Sequence, residues 1–287
     1  MPPSYYYSPH PRPNQPIKRN WRPLFTAVMF GVVGLLMVQI VTYAVHSHAS
    51  AHTDPQLEQA INTWSSQQSF ESSVYVEELT GERRMATHNP DTIMVTASTY
   101  KLFVAYAVLH EAELGTVNMS TRLSTGTTAE AALTKMITQS DNASGQALGF
   151  FVGWDTADNL AASLGATHTH LNNYDSSGNA IQGEKTSTVG DLAILLTKLQ
   201  NSTLLDPTDT DMIIGLMKAQ AWRERVPAGV PENIQVADKP GWLANVQNDA
   251  AIVYGPKSTY LLVVMTTSNT TQPLANLSQI VYTQLES

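Results

Sequence analysis

Strand-like segments stand at the two ends of this chain and helical ones fill the space between. That order constrains the fold more than any single residue does. Ser73 to Leu79 alternates apolar and polar residues, Thr80-Gly81 reads as a turn, and Arg83 to Thr87 returns as a hairpin partner. Near the other end, Gln235 to Leu243, Asp249 to Tyr254 and Tyr260 to Thr266 read as strands, with the turn pair Gly255-Pro256 between the last two. The helical patterns between them are Ser98 to Glu113, Ala129 to Gln139, Ala143 to Val152, Asp155 to Leu164, Val189 to Leu199 and Asp209 to Ala219. One more helix, Pro55 to Gln67, carries Leu57, Ile61 and Trp64 on one face, and Pro273 to Leu285 closes the chain. The order predicts an α+β domain: an antiparallel sheet formed from both chain ends, with a helical subdomain between.

Charge and apolar content divide the 287 residues unevenly. Arg12, Lys18, Arg19 and Arg22 are the only charged residues before Asp54, histidine counted as neutral. Subtracting these four from the 16 basic residues leaves the rest of the chain with 12, against 24 acidic ones. Such a body argues against a nucleic-acid partner. Residues 1–23 are rich in Pro, Tyr and Asn and are expected to be a disordered cytoplasmic tail. Leu24 to Val45 has no charge, and as a helix it spans roughly 33 Å, enough for a bilayer core of about 30 Å. Lys18, Arg19 and Arg22 precede it, and Trp21 and Tyr43 flank it. The expectation is a single-pass anchor in the cell membrane, N-terminus inside and the body extracytoplasmic. A signal peptide cut near Ala44 to Ala51 is the rival reading, although its apolar core is normally about 7–15 residues. Residues 46–54 then form a linker and 55–287 the folded domain. With no cysteine, disulfides and thiolate zinc sites are excluded.

Three short motifs carry chemistry. Ser98-Thr99-Tyr100-Lys101 sets a hydroxyl and an amine three residues apart at the head of an apolar run, the spacing at which helical side chains are neighbours. Burial lowers a lysine's pKa, and a neutral amine beside a serine can take its proton. The plain alternative is that Ser98 caps a helix. Ser140-Asp141-Asn142 falls in a loop between two helical patterns, where Ser140 or Asp141 could equally be an N-cap. Lys239-Pro240-Gly241 lies in a strand-like stretch.

Together and in this order, the three motifs resemble the signature set of penicillin-interacting serine enzymes. From Gln56 to Ser287 the chain resembles the class A β-lactamase family. Met136 to Gln139 before Ser-Asp-Asn, Arg225 to Pro231 and Val236 to Lys239 before the third motif, and Asn248 to Gly255 after it, are similar to that family's segments. The resemblance implies a β-lactamase/transpeptidase-like fold, a serine hydrolase needing no cofactor or metal, and a monomer. Its substrate would be a small β-lactam or a peptidoglycan stem peptide. It implies Ser98 as nucleophile, Lys101 as base or as holder of the hydrogen-bond network for the base, Ser140 as proton donor to the leaving nitrogen, and the backbone N–H groups of Ser98 and Trp242 as oxyanion donors. It also implies Asn142, Lys239, Gly241 and Arg225 as substrate-binding residues, with Arg223 as a weaker candidate than Arg225.

Three departures qualify this. Pro240 stands where the family carries a hydroxyl residue; a proline on an edge strand need not break pairing. The stretch His168 to Lys185 shows no Glu-x-x-x-Asn pattern to activate a deacylating water, which leaves Asp175 as a possible substitute and Glu184 as a solvated charge. The connection from Ser98 to Ser140 is short. The sequence therefore supports a β-lactamase-like hydrolase with slow deacylation. The alternatives are a D-alanyl-D-alanine peptidase trapped by penicillins, or a non-catalytic wall-binding or sensor domain.

Overall fold

The structure, a computed structural model, describes residues 50–174, 179–180 and 183–287. The expected anchor Leu24 to Val45 and the candidate Asp175 lie outside the described residues. Among the described residues no helix is long and apolar enough to cross a membrane.

The sheet joins the two chain ends, as expected. Strands β1 (His52–Thr53), β2 (Ser72–Glu78) and β3 (Arg84–His88) come from the first end. A two-residue strand, β4 (Met94–Val95), follows, and β5 (Thr186–Ser187) pairs with it in a separate small sheet. From the second end come β6 (Gln235–Leu243), β7 (Val246–Tyr254) and β8 (Thr259–Thr266). The main sheet runs β1-β3-β2-β8-β7-β6. Its seam is the antiparallel pair β2–β8, in register from Ser72 opposite Thr266 to Glu78 opposite Tyr260.

One expectation is corrected. The sheet is mixed, because His52 and Thr53 pair in parallel with Arg84 and Met85. The sequence pattern places both residues in the linker. A parallel neighbour needs a long crossover connection, and the helix Pro55–Ser66 together with β2 supplies it. Asp54 then caps that helix, α1, accepting from the N–H groups of Gln56 and Leu57 at 2.9 and 3.1 Å.

Side-chain alternation on the strands builds two cores. On β8, Tyr260, Leu262 and Val264 face α1 and the closing helix α8 (Gln272–Glu286), while Leu261, Val263 and Met265 face the inserted helices. The centre of the inserted layer is α2 (Lys101–Glu113), in which every residue from Lys101 to Leu109 is buried. A helix apolar on all sides has to be surrounded, and α3 (Ala129–Thr138), α4 (Asn142–Val152), α5 (Trp154–Leu164), α6 (Val189–Gln200) and α7 (Pro207–Lys218) contribute buried side chains to the same core.

Helix α4 approaches its neighbours through two glycines one turn apart. A methyl on Gly145 would meet Lys101 Cε at 2.9 Å, and one on Gly149 would overlap the Trp154 ring at 2.1 Å. Gly215, exposed in α7, has nothing within 4 Å of such a methyl. Gly149→Ala is therefore expected to destabilise the domain by about 1–3 kcal/mol through overpacking. Gly215→Ala should stabilise it by about 0.5–1 kcal/mol through helix entropy. Paired thermal melts test both, and shifts of the same sign would refute this packing account.

Candidate active site

The first motif is not simply the start of a helix. Ala97–Tyr100 forms a 3₁₀ turn, and α2 begins at Lys101 with no side-chain cap, so Ser98 is not the N-cap that a plain helix start would make it. Ala97 opens the turn in the left-handed region, at φ 47°. The turn is tied from three sides. Thr96 O accepts from Thr99 N (3.1 Å), Thr99 Oγ1 (2.8 Å) and Asn248 Nδ2 (3.0 Å). Gly241 of β6 lies so close that a Cβ there would be 2.7 Å from Ser98 N. Only glycine fits at that contact, which presses the strand carrying Trp242 against the serine's own amide.

Lys101 is fully buried, and its Nζ reaches three oxygens: Ser98 Oγ at 3.0 Å, Ser140 O at 2.6 Å and Asn142 Oδ1 at 2.7 Å. Burial pushes its pKa down to about 8, against a smaller upward pull from Asp141. Once neutral, the amine has two N–H donors for the two carbonyl oxygens, and its lone pair is left for the Ser98 hydroxyl. The arrangement can take a proton from Ser98 without moving a heavy atom.

The second motif is placed by a cap and a strained residue. Asp141 caps α4 through Ser144 N at 2.7 Å, and the Ser144 side chain, then this amide, hold its carboxylate below its ordinary pKa. Ser140 sits in the left-handed region at φ 57°, a conformation that costs a non-glycine residue about 1–3 kcal/mol. In return its carbonyl and hydroxyl both face lysines: Oγ lies 2.8 Å from Lys239 Nζ and 3.5 Å from Lys101 Nζ. Asn142, the first residue of α4, is exposed even though its amide oxygen reaches the buried amine.

The third motif stays in regular strand. β6 is the edge strand and runs unbroken through Pro240, whose carbonyl accepts from Lys239 Nζ at 2.8 Å. Lys239 is fully buried, and its pKa is pushed well below the usual lysine range by burial and then by the positive charge of Lys101. Asp238 and Asp249 partly oppose this. Both carboxyls are buried and raised by burial, Asp249 to about 6; Asp238 meets Arg223, and Asp249 accepts from Val226 N at 3.0 Å.

Arg225 is placed differently from a free carboxylate-binding cation. It is 4 % exposed, and its Nε and Nη2 both donate to Gln247 Oε1, at 3.1 and 2.6 Å. Its guanidinium lies 5.0 Å from the Trp242 ring centroid, and Trp222, 44 % exposed, packs edge-on against that ring at 5.5 Å. Arg223 is likewise occupied, by Val236 O and Asp238. The structure thus brings Ser98, Lys101, Ser140, Asn142, Lys239 and Gly241 together, and sets Arg225 behind Trp242. Sequence reasoning missed Thr96, Asn248, Trp222 and Lys185. A buried asparagine inside an apolar strand is a signal that could have marked Asn248; the others have no local signature.

Comparison with known proteins agrees with this geometry. The family model described as the β-lactamase enzyme family matches residues 56–285. Among solved structures, PBP-A superposes with a TM-score of 0.76 at 22% identity, over 83% of this chain and 98% of that one. A mutant of PBP-A, in an acyl-enzyme complex with penicillin-G, gives 0.75 at 21% identity, over 83% and 99%. An ancestral class A β-lactamase gives 0.71 at 21% identity, over 80% and 100%. No curated protein sequence matches the chain. The described body therefore has the α+β fold of class A β-lactamases and PBP-A, and with the family match spanning nearly all of it, the chain belongs to the β-lactamase enzyme family.

Proposed function

We propose that this protein is a serine hydrolase that is acylated by β-lactams at Ser98 and releases the acyl group slowly. The observation that carries the reading is Lys101 Nζ, buried, with a pKa lowered to about 8, and 3.0 Å from Ser98 Oγ. In the proposed reaction Lys101 takes the Ser98 proton and Oγ bonds to the lactam carbonyl carbon. Oxyanion charge is held by the N–H groups of Ser98 and Trp242. When the C–N bond breaks, Ser140 gives its proton to the nitrogen and regains one from the Lys101 ammonium. Lys239 holds Ser140 in place and adds positive potential for an anionic substrate, and Asn142 orients Lys101 and the substrate amide.

Among the described residues, release has no comparable equipment. In the loop 168–185 the only carboxylate among the described residues, Glu184, is exposed. General-base help is typically worth about 10²–10⁴-fold, and its loss leaves a long-lived ester. The same feature favours a second reading, a D-alanyl-D-alanine peptidase acting on peptidoglycan stem peptides. The coincidence of Ser98, Lys101, Ser140, Asn142 and Lys239 in one hydrogen-bonded group speaks against a non-catalytic sensor. We further propose that Leu24 to Val45 anchors the domain on the outer side of the cell membrane, on the strength of its length, lack of charge and basic flank.

Three outcomes are expected. A fluorescent penicillin labels the protein, Ser98→Ala abolishes the label, and the adduct decays over hours; absence of label sinks both enzymatic readings, and recovery within seconds sinks slow release. Because only the neutral amine is a base, the acylation rate rises with pH and levels off above about 8. Lys101→Arg, permanently protonated, loses about 10²–10⁴-fold; a flat pH profile would overturn Lys101 as base. Finally, the full-length chain sediments with membranes and resists carbonate extraction, whereas a chain lacking residues 1–49 does not; a soluble full-length chain contradicts the anchor.

A further inference from the structure

Lys185 takes no part in the chemistry above, yet it is 8 % exposed and elaborately held. Its Nζ lies 3.6 Å from the Trp154 ring centroid and 5.3 Å from those of Tyr100 and Tyr174. Trp154 stacks on Tyr174 at 5.6 Å and meets Tyr100 at 6.1 Å, so the three rings form a box around the amine. Two oxygens complete it, the carbonyl of Leu171 and Asn173 Oδ1 at 2.7 Å. Burial lowers the pKa of Lys185 to about 8, which still leaves it mostly ammonium at pH 7, the form attracted to ring faces. The box exists because Gly149 leaves room for the Trp154 ring.

The backbone of the same residue touches the nucleophile turn. Lys185 O accepts from Thr96 N and Thr96 Oγ1, both at 3.0 Å, and Thr96 O in turn holds Thr99. Tyr100, one wall of the box, sits between Ser98 and Lys101 in the chain and also lies 5.9 Å from Lys101 Nζ. A cation fixed in the box therefore fixes the turn from two directions, through the Thr96 pair and through the Tyr100 ring.

We propose that Lys185 is a positioning residue for Ser98, its ammonium clasped by Tyr100, Trp154 and Tyr174 so that the Thr96–Tyr100 turn is held in attacking geometry. The role in attack rests on Ser98 being the nucleophile; the mechanical coupling of Lys185 to the turn does not. A misplacement of about 1 Å at a reacting centre can cost on the order of 10²-fold. Lys185→Met, which keeps length but removes charge, should slow penicillin acylation about 10- to 100-fold. Lys185→Arg, whose guanidinium also binds ring faces, should restore most of the rate. Amide hydrogen exchange, which needs no activity, should quicken in the peptide spanning 96–101 in Lys185→Met and stay near wild type in Lys185→Arg. If Lys185→Met does not fold, Trp154→Leu, which removes the closest ring and leaves the lysine, carries the same two expectations. Unchanged exchange in a folded Met or Leu variant overturns the coupling. Faster exchange with an unchanged acylation rate overturns the positioning role, and an unlabelled wild type with faster exchange in the variants overturns the proposed function alone.

Discussion

The burial of one amine organises this molecule. Lys101 has no contact with solvent, and moving an unpaired ammonium out of water costs several kcal/mol. The fold meets that cost with three oxygens from three separate segments: Ser98 on the 3₁₀ turn, Ser140 in the loop before α4, and Asn142 at the head of α4. The residual penalty appears as a lowered pKa. The group that is expensive to bury is thereby turned into a base usable near neutral pH.

Much of the surrounding structure is the consequence of bringing those segments so close. Gly145 lets α4 reach the lysine stem, and Gly241 lets β6 reach the serine amide. Ser140 accepts a left-handed backbone, which turns its carbonyl toward Lys101 and its hydroxyl toward Lys239. Strain at Ser140 and Ala97, on either side of Ser98 in the chain, persists because capping at Asp141 and the Thr96 bonds over-determine both loops.

A second electrostatic layer lies behind the first. Two buried lysines near one serine repel each other, and the buried carboxyls of Asp238 and Asp249 supply the counter-field that tempers Lys239. Those acids in turn lean on Arg223 and, for Asp249, on the amide of Val226 and the charge of Arg225. The positive potential at the site is thus a balance of six buried or half-buried ionisable groups in a chain whose net charge is −8.

The strand–helix–strand order, the buried run after Lys101, a cap at Ser140 or Asp141 and the tolerance of Pro240 on an edge strand could be read from local pattern, because periodicity, capping and proline geometry act within a few residues of chain. The five-residue constellation was legible because its spacing follows a known motif set. The pairing of His52 and Thr53 was not, since two residues carry no periodicity and their partners lie some thirty positions away. The engagement of Arg225 by Gln247 and the aromatic box around Lys185 were equally hidden. Whether a cation faces solvent, a carboxylate or a ring depends on which segments the fold packs against it. The sequence alone determined which groups are available for chemistry and in what order they come. The tertiary structure decided which of them are desolvated and in contact, because burial and long-range packing set a pKa, and local sequence does not.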